Sequence, residues 1–315
     1  MDETAPAPTT GKQLAVGVGG VSGLFLGIYL GAFWILTPAT AEPVTPPPGT
    51  GETTLGLLFV AALLVVTAGM LAAFRFGFEW VVRYLILGIT GLISFLVLVE
   101  VAPAPFEHGI GILVPVGGAI LLVVAVATYP EWWVIDLAGV FVGVGAVVLF
   151  GITFGLRTIL LLLVLLAIYD FISVYKTRHM LSLAEGALAW RLPVVLFVPT
   201  HRGFSLRDDT TMDIDSGVTG VIVIGLGDAI IPGMLVTGAV VSSPAPTFDL
   251  AGFIWSVPAI GAILGILLGV VVLFYGTSRD HAHPGLPFLS SGAIIGYLVA
   301  SVAVGIDPLV ALTLG

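Results

Sequence analysis

Residues 157–176, RTILLLLVLLAIYDFISVYK, hold the pattern that decides the fold of this 315-residue chain. Between Arg157 and Lys176 they are almost entirely apolar, and Asp170 is the one charged residue inside the run. A helix of about 20 such residues is long enough to cross a bilayer. Apolar runs long enough to cross a bilayer occur nine times along the chain, counting this one. The predicted transmembrane spans are 13–37, 54–74, 82–103, 109–128, 133–153, 157–176, 218–241, 252–275 and 288–306.

The composition also indicates a membrane protein. Hydrophobic residues make up 58% of the chain and charged residues only 9%, whereas soluble domains are about 45–50% apolar and about 25% charged. We therefore predict an all-α, polytopic membrane protein. The chain has no cysteine, which excludes a disulfide scaffold, a cysteine-ligated metal site and a thiol nucleophile. A net charge of −9 without a basic patch argues against nucleic-acid binding.

The ten Lys and Arg residues predict the orientation. With a cytoplasmic N-terminus, nine of them lie in the cytoplasm and only Arg157 lies outside, and the opposite orientation reverses this split. The positive-inside rule therefore predicts an external C-terminus in the cell membrane. The first span follows an acidic segment and is too long for a signal-peptide core, so no cleavage is expected. The predicted organisation is one membrane domain, 1–315, comprising a cytoplasmic tail (1–12), spans one to six (13–176), a cytoplasmic loop (177–217) and spans seven to nine (218–315).

Glycine recurs at four-residue spacing in two of the predicted spans. The glycines are Gly19, Gly23, Gly27 and Gly31 in span one, and Gly261, Gly265 and Gly269 in span eight. Rows of small residues let two helix backbones approach closely within a membrane. We predict that both rows are packing surfaces.

Two carboxylates lie well inside predicted spans. Glu100, Asp136 and Asp307 are near span ends and are expected to reach water, but Asp170 and Asp228 are not. An aspartate at mid-membrane costs about 2.5–3.5 kcal/mol on insertion scales, so it is retained for function by default. Asp170 is about 9 Å from the cytoplasmic end of span six, and Asp228 is about 15 Å into span seven. Adjacent antiparallel helices would bring the two to a similar level.

Two neighbouring carboxyls in a poorly solvated site cannot both ionise cheaply, so the pair tends to share one proton. Such a pair suits peptide hydrolysis by general acid and base catalysis, with water as the nucleophile and no metal or other cofactor. A proton- or ion-coupled transporter would use the same residue types, although the sequence has no obvious inverted repeat. No HExxH zinc motif occurs, and all five histidines lie at or outside span ends.

Three short motifs accompany the two aspartates. They are Tyr169-Asp170 at the end of span six, Gly225-Leu226-Gly227-Asp228 in span seven and Pro284-Gly285-Leu286-Pro287 at the entry to span nine. Together they resemble the YD, GxGD and PAL motifs of the presenilin and signal peptide peptidase family of intramembrane aspartyl proteases. The resemblance covers the whole span layout and is tightest over 165–295. It departs from the family pattern at Gly285, which replaces the alanine of PAL.

The resemblance implies a presenilin-like fold with Asp170 and Asp228 as the catalytic pair. It also implies a set of residues that shape the cleft, namely Tyr169, Gly225, Leu226, Gly227, Pro284, Gly285, Leu286 and Pro287. Presenilins have a cytosolic N-terminus, whereas signal peptide peptidases have the inverse topology. The nine-to-one distribution of Lys and Arg residues therefore resembles the presenilin branch. The short 177–217 loop suggests a microbial, archaeal-type homologue. The implied partners are substrate transmembrane helices and the bilayer; a homo-oligomer and accessory membrane subunits stay open.

A β-branched run in the loop between spans six and seven has a separate interpretation. Residues 193–198, PVVLFV, have the composition of a strand. A transmembrane substrate must unwind locally before cleavage, because the hydrogen bonds of a helix shield its peptide bonds. We therefore hypothesise that 193–198 pairs with the unwound substrate as an added strand, beside Pro284-Gly285-Leu286.

Overall fold

The computed structural model describes residues 11–36, 52–101, 111–174, 192–200, 203–206, 221–276 and 284–307. Within these ranges the chain is mostly helical, with nine α-helices and two small antiparallel sheets. The helices are α1 (Gly11–Ile35), α2 (Glu52–Arg75), α3 (Glu79–Val101), α4 (Leu113–Thr128), α5 (Trp132–Thr153), α6 (Leu156–Ile172), α7 (Leu226–Val241), α8 (Val257–Gly276) and α9 (Leu286–Ala303). The strands are β1 (Val195–Pro199), β2 (Val221–Gly225), β3 (Thr247–Leu250) and β4 (Phe253–Ser256).

Each predicted span contains one of these helices. Six of the helices, α1, α2, α3, α5, α8 and α9, are long and apolar enough to cross a membrane. Helices α4 and α7 are apolar but shorter, with 16 residues each. The fold is therefore that of a membrane-embedded helical protein. Most of the predicted 177–217 loop lies outside the described residues, as do the 1–10 part of the tail and six basic residues used for the orientation: Lys176, Arg178, Arg191, Arg202, Arg207 and Arg279.

Two predicted spans begin too early. The 221–225 segment of span seven, VIVIG, is strand β2, and α7 starts only at Leu226. Consecutive β-branched residues favour an extended backbone, and Gly225 remains extended as the N-cap of α7. In the same way, the 253–256 part of span eight is strand β4. The apolar run alone does not distinguish these partly buried strands from the helices that follow them.

The core of the molecule lies between α1, α5, α6, α7, α8 and α9. Helix α1 runs through it, and its Phe25, Ile28 and Tyr29 are fully buried. Thr237 on α7 donates to the carbonyl of Val147 on α5 at 2.8 Å, which is a hydrogen bond between two spans. Helices α2, α3 and α4 carry many exposed apolar side chains. Exposed apolar side chains are expected where a membrane protein faces lipid.

The predicted packing surface is found for the glycine row of α8 but not for most of the row on α1. On α8, a Cβ added to Gly261, Gly265 or Gly269 would collide with the backbone of α9, so the predicted packing surface is confirmed. On α1, a Cβ on Gly19, Gly23 or Gly27 would meet no atom within 4 Å, and these three glycines are exposed. The prediction was wrong for them because the packed face of α1 is formed by its large side chains. Only Gly31 of that row packs closely, against Val144.

Candidate active site

Asp170 lies in the last turn of α6 and points into the interior, where it is only 2% exposed. Its Oδ2 accepts a hydrogen bond from the backbone N–H of Leu286, at 3.2 Å. That N–H belongs to the first turn of α9, where helix donors lack a partner within their own helix. Its other oxygen, Oδ1, is buried and has no hydrogen-bond partner among the described residues. Asp170 therefore keeps one oxygen available inside the protein.

Asp228 lies in the first turn of α7, three residues after the N-cap Gly225. The backbone N–H of Gly225 donates to its carboxylate, as an acidic residue at this position of a helix commonly does. Asp228 is predicted from the sequence to lie about 15 Å into a continuous helix. That prediction was wrong, because β2 occupies the start of the segment. The carboxyl group is nevertheless close enough to Asp170 for the two to interact electrostatically.

The Pro284–Pro287 segment contacts both carboxyls. Leu286 donates its N–H to Asp170, and Gly285 faces Asp228. A Cβ on Gly285 would lie 3.0 Å from Oδ2, 3.1 Å from Cγ and 3.2 Å from Oδ1 of Asp228, closer than ordinary van der Waals contact. Glycine in place of alanine therefore gives the Asp228 carboxylate clearance. Pro284 is buried, and Pro287 lies in the first turn of α9, where a missing N–H costs no helical bond.

The remaining predicted cleft residues surround this pair in different ways. A Cβ on Gly225 would lie 3.3 Å from Asp228 Oδ2, so this glycine also leaves room for the carboxylate. Leu226 is buried, and its N–H donates to the carbonyl of Val194 at 2.9 Å. Gly227 is exposed, and a Cβ there would meet only Ile231, at 4.0 Å. Tyr169 is partly exposed on α6, next to Asp170.

Strands β1 and β2 form a two-stranded antiparallel sheet that leads directly into α7. The predicted strand in 193–198 is thus confirmed as a strand, and its partner within the chain is 221–225. The N–H of Leu226 donates to the carbonyl of Val194, so Val194 directs its backbone groups toward the β2 side. In an antiparallel pair this direction alternates along the strand, so every second residue of β1 counted from Val194 directs its N–H and C=O groups toward β2. Phe197 therefore points its N–H to the opposite edge, where Asp136 Oδ1 on α5 accepts it at 2.7 Å.

Tyr29 on α1 is a residue at this site that sequence reasoning missed. Its hydroxyl donates to the carbonyl of Ala229 at 3.0 Å, and its ring lies near enough to Asp228 for an electrostatic interaction. A Cβ on Gly233 would lie 2.7 Å from the Tyr29 ring, so that glycine makes room for it. Tyr29 thus braces the first turn of α7. A polar tyrosine in an apolar span was the only available signal.

Tyr29→Phe is expected to destabilise the protein by removing this buried hydrogen bond. The Ala229 carbonyl would lose a donor, and a typical hydrogen bond of this kind contributes about 1 kcal/mol to the free energy of unfolding. Unfolding of the purified protein in detergent measures the change. Tyr84→Phe is the matched control, because Tyr84 is 67% exposed on α3. Equal destabilisation by both substitutions would contradict a bracing role for Tyr29.

Comparisons with known proteins agree with this geometry. The model of the family described as signal-peptide peptidase, presenilin aspartyl protease matches residues 22–306. Two solved structures of a presenilin family intramembrane aspartate protease, in space groups C222 and P2, are each 28% identical to this chain. Each comparison covers 90% of this chain and 97% of the other, with TM-scores of 0.60 and 0.57. A comparison with curated proteins found no match.

The family match spans most of the chain, including all three motifs, and the structural match agrees with it. Both confirm the resemblance that the motifs indicated. Members of this family are membrane-embedded hydrolases that cleave peptide bonds with aspartates. The chain belongs to the signal-peptide peptidase and presenilin family of aspartyl proteases.

Proposed function

We propose that this enzyme is an endopeptidase that hydrolyses peptide bonds within the transmembrane helices of other membrane proteins, with Asp170 and Asp228 as its catalytic pair. The observation that carries the proposal is the placement of both carboxyls against Gly285–Leu286. One accepts the Leu286 N–H, and the other lies against Gly285. Two carboxyls that interact with each other in a poorly solvated site can share one proton, as this reaction needs.

The chemistry follows from the opposite protonation states of the two groups. The ionised carboxylate takes a proton from a water molecule, whose oxygen attacks the scissile carbonyl carbon. The protonated carboxyl meanwhile donates a hydrogen bond to the carbonyl oxygen and stabilises the charge that develops there. Collapse of the tetrahedral intermediate breaks the C–N bond, and the leaving amine takes up the proton that the first carboxylate took from water. Asp170 Oδ1, which has no hydrogen-bond partner in the described part of the chain, is the oxygen available for these contacts.

The substrate in this proposal is a transmembrane helix that unwinds next to β2. The sequence suggests that the unwound substrate pairs with 193–198. However, the Phe197 N–H on the outer edge of β1 already donates to Asp136. The outward edge of β2 carries the backbone groups of Val221 and Val223, seven and five residues before Asp228. A substrate segment added there would run toward the aspartates. Exposed Gly227 offers no side chain to obstruct it.

The proposed setting is the cell membrane, crossed nine times with a cytoplasmic N-terminus and an external C-terminus. The nine helices and the distribution of basic residues support it. In this topology the end of α6 and the start of α7 face the cytoplasmic side, so both aspartates lie in the cytoplasmic half of the membrane. Substrate helices and lipid are the expected partners, and Gly225, Leu226, Gly227, Pro284 and the other motif residues form the cleft.

A vesicle experiment separates this proposal from a proton- or ion-coupled transporter. Purified protein is reconstituted with a reporter transmembrane segment and a pH-sensitive dye inside the vesicles. We expect cleavage of the reporter and no proton flux beyond that of empty vesicles. Flux through the protein with an intact reporter would support the transporter, which the family membership disfavours.

The pH dependence of cleavage should be bell-shaped. One carboxyl must hold a proton and the other must lose it, so activity falls when both are protonated at low pH and when both are ionised at high pH. Initial cleavage rates are measured across a pH series with the reporter in excess. Unfolding measurements at each pH serve as the control for loss of structure. A flat profile between about pH 4 and 9 would contradict the shared-proton mechanism.

A further inference from the structure

Asp136 holds the outer edge of β1 to α5. It lies in the second turn of α5 and is 6% exposed, so the expectation that it reaches water was wrong. Its Oδ1 accepts the Phe197 N–H at 2.7 Å, the shortest length usual for such a bond. This N–H lies on the edge of the sheet away from β2, so the bond takes nothing from the β1–β2 ladder.

The contacts around this bond extend along the same helix. At the N-cap of α5, buried Glu131 accepts the Ser205 hydroxyl at 2.7 Å and the Leu206 N–H at 3.2 Å. One turn beyond Asp136, the absence of a side chain at Gly139 makes room for Leu196 of β1. Two carboxylates and a packing contact thus fix the strand and the 203–206 segment to α5. The catalytic mechanism uses none of these groups.

We infer that Asp136 is a positioning residue that determines which substrate bond is cleaved. The inference rests on the proposed function, in which the substrate adds to the outer edge of β2. Strand β2 is bonded to β1 along its whole length and continues into the turn of α7 that carries Asp228. Fixing β1 to α5 therefore fixes the edge on which the substrate lies relative to the aspartates. It also closes the outer edge of β1 at Phe197 to strand addition.

The test compares substitutions at Asp136 by the ends of the products and by steady-state kinetics. Asp136→Ala removes the acceptor, whereas Asp136→Asn keeps a carbonyl oxygen at the same place. Asp136→Glu moves the acceptor by one methylene and serves as the second variant if the alanine protein does not fold. Asp249→Ala is the control, since Asp249 also accepts a backbone N–H, from Gly252 at 3.1 Å, but in the exposed β3–β4 hairpin.

We expect Asp136→Ala and Asp136→Glu to spread cleavage over neighbouring bonds and to raise KM by about tenfold, as loss of a buried hydrogen bond allows. Asp136→Asn and Asp249→Ala should keep the wild-type product ends. Unchanged ends in the folded Ala or Glu variant, or a loss confined to kcat, would overturn the inference while leaving the protease assignment in place. Failure of the wild-type protein to cleave would refute the assignment and the inference with it.

Discussion

Replacing either aspartate by asparagine should abolish cleavage while leaving the fold intact. Asp170→Asn and Asp228→Asn each remove a group that must gain or lose a proton, and such groups contribute on the order of 10²–10⁴-fold to a rate. An asparagine oxygen can still accept the Leu286 N–H at position 170 or the Gly225 N–H at position 228. The folded structure should therefore persist. Initial rates on a reporter transmembrane segment measure the loss.

The control for the carboxyl-to-amide change is Asp249→Asn, which alters an exposed aspartate in the β3–β4 hairpin. It should cleave at the wild-type rate. Because the two catalytic groups act as a unit, the double variant should lose no more activity than either single variant. Cleavage that persisted at more than a few per cent in either single variant would remove that aspartate from the proposed pair.

Gly285→Val should cause the second largest loss. Even the Cβ of a new side chain would lie 3.0 Å from Asp228 Oδ2, and the branched carbons of valine need further space in that direction. Either the Asp228 carboxylate or the start of α9, which holds Asp170 through Leu286, must then shift. A displacement of about 1 Å at a reacting group can cost about 10²-fold in rate. We expect a loss of that size in kcat.

Gly285→Ala and Gly69→Val complete this series. Alanine needs a shift of only a few tenths of an ångström, so its rate should lie between those of wild type and valine. The family motif has alanine at this position, which also favours a tolerated change. On α2, a Cβ at Gly69 would meet no atom within 4 Å, so Gly69→Val should leave the rate unchanged. Equal rates for wild type and Gly285→Val would contradict the placement of Gly285 against Asp228.

The sequence predicted the helical segments and the two aspartates for a physical reason. Charge is so unfavourable in a bilayer that a carboxylate remaining inside a span, such as Asp170, is readily recognised. The apolar runs likewise marked a helix in each span. Their ends were less well predicted, because VIVIG at 221–225 is as apolar as the helix after it, and only its β-branched composition indicated a strand.

Contacts between residues that are far apart in the chain could not be predicted from the sequence. Asp136 resembled an ordinary interfacial carboxylate, since its bond to Phe197 joins residues 61 positions apart. Tyr29 and Ala229 are 200 positions apart. Glycine spacing was equally ambiguous: it predicted the α8 surface correctly, but on α1 three of the four glycines, Gly19, Gly23 and Gly27, face outward. Periodicity identifies a face of a helix, whereas tertiary packing determines what that face meets.

The activity proposed for this chain is hydrolysis of a peptide bond inside a transmembrane segment. Mass spectrometry identifies both products after incubation of the purified protein with a reporter helix in lipid vesicles. We expect a new C-terminus and a complementary new N-terminus within the apolar part of the reporter, in its cytoplasmic half, and neither end with Asp228→Asn. An intact reporter with the wild-type protein, or the same ends with Asp228→Asn, would contradict the proposed activity.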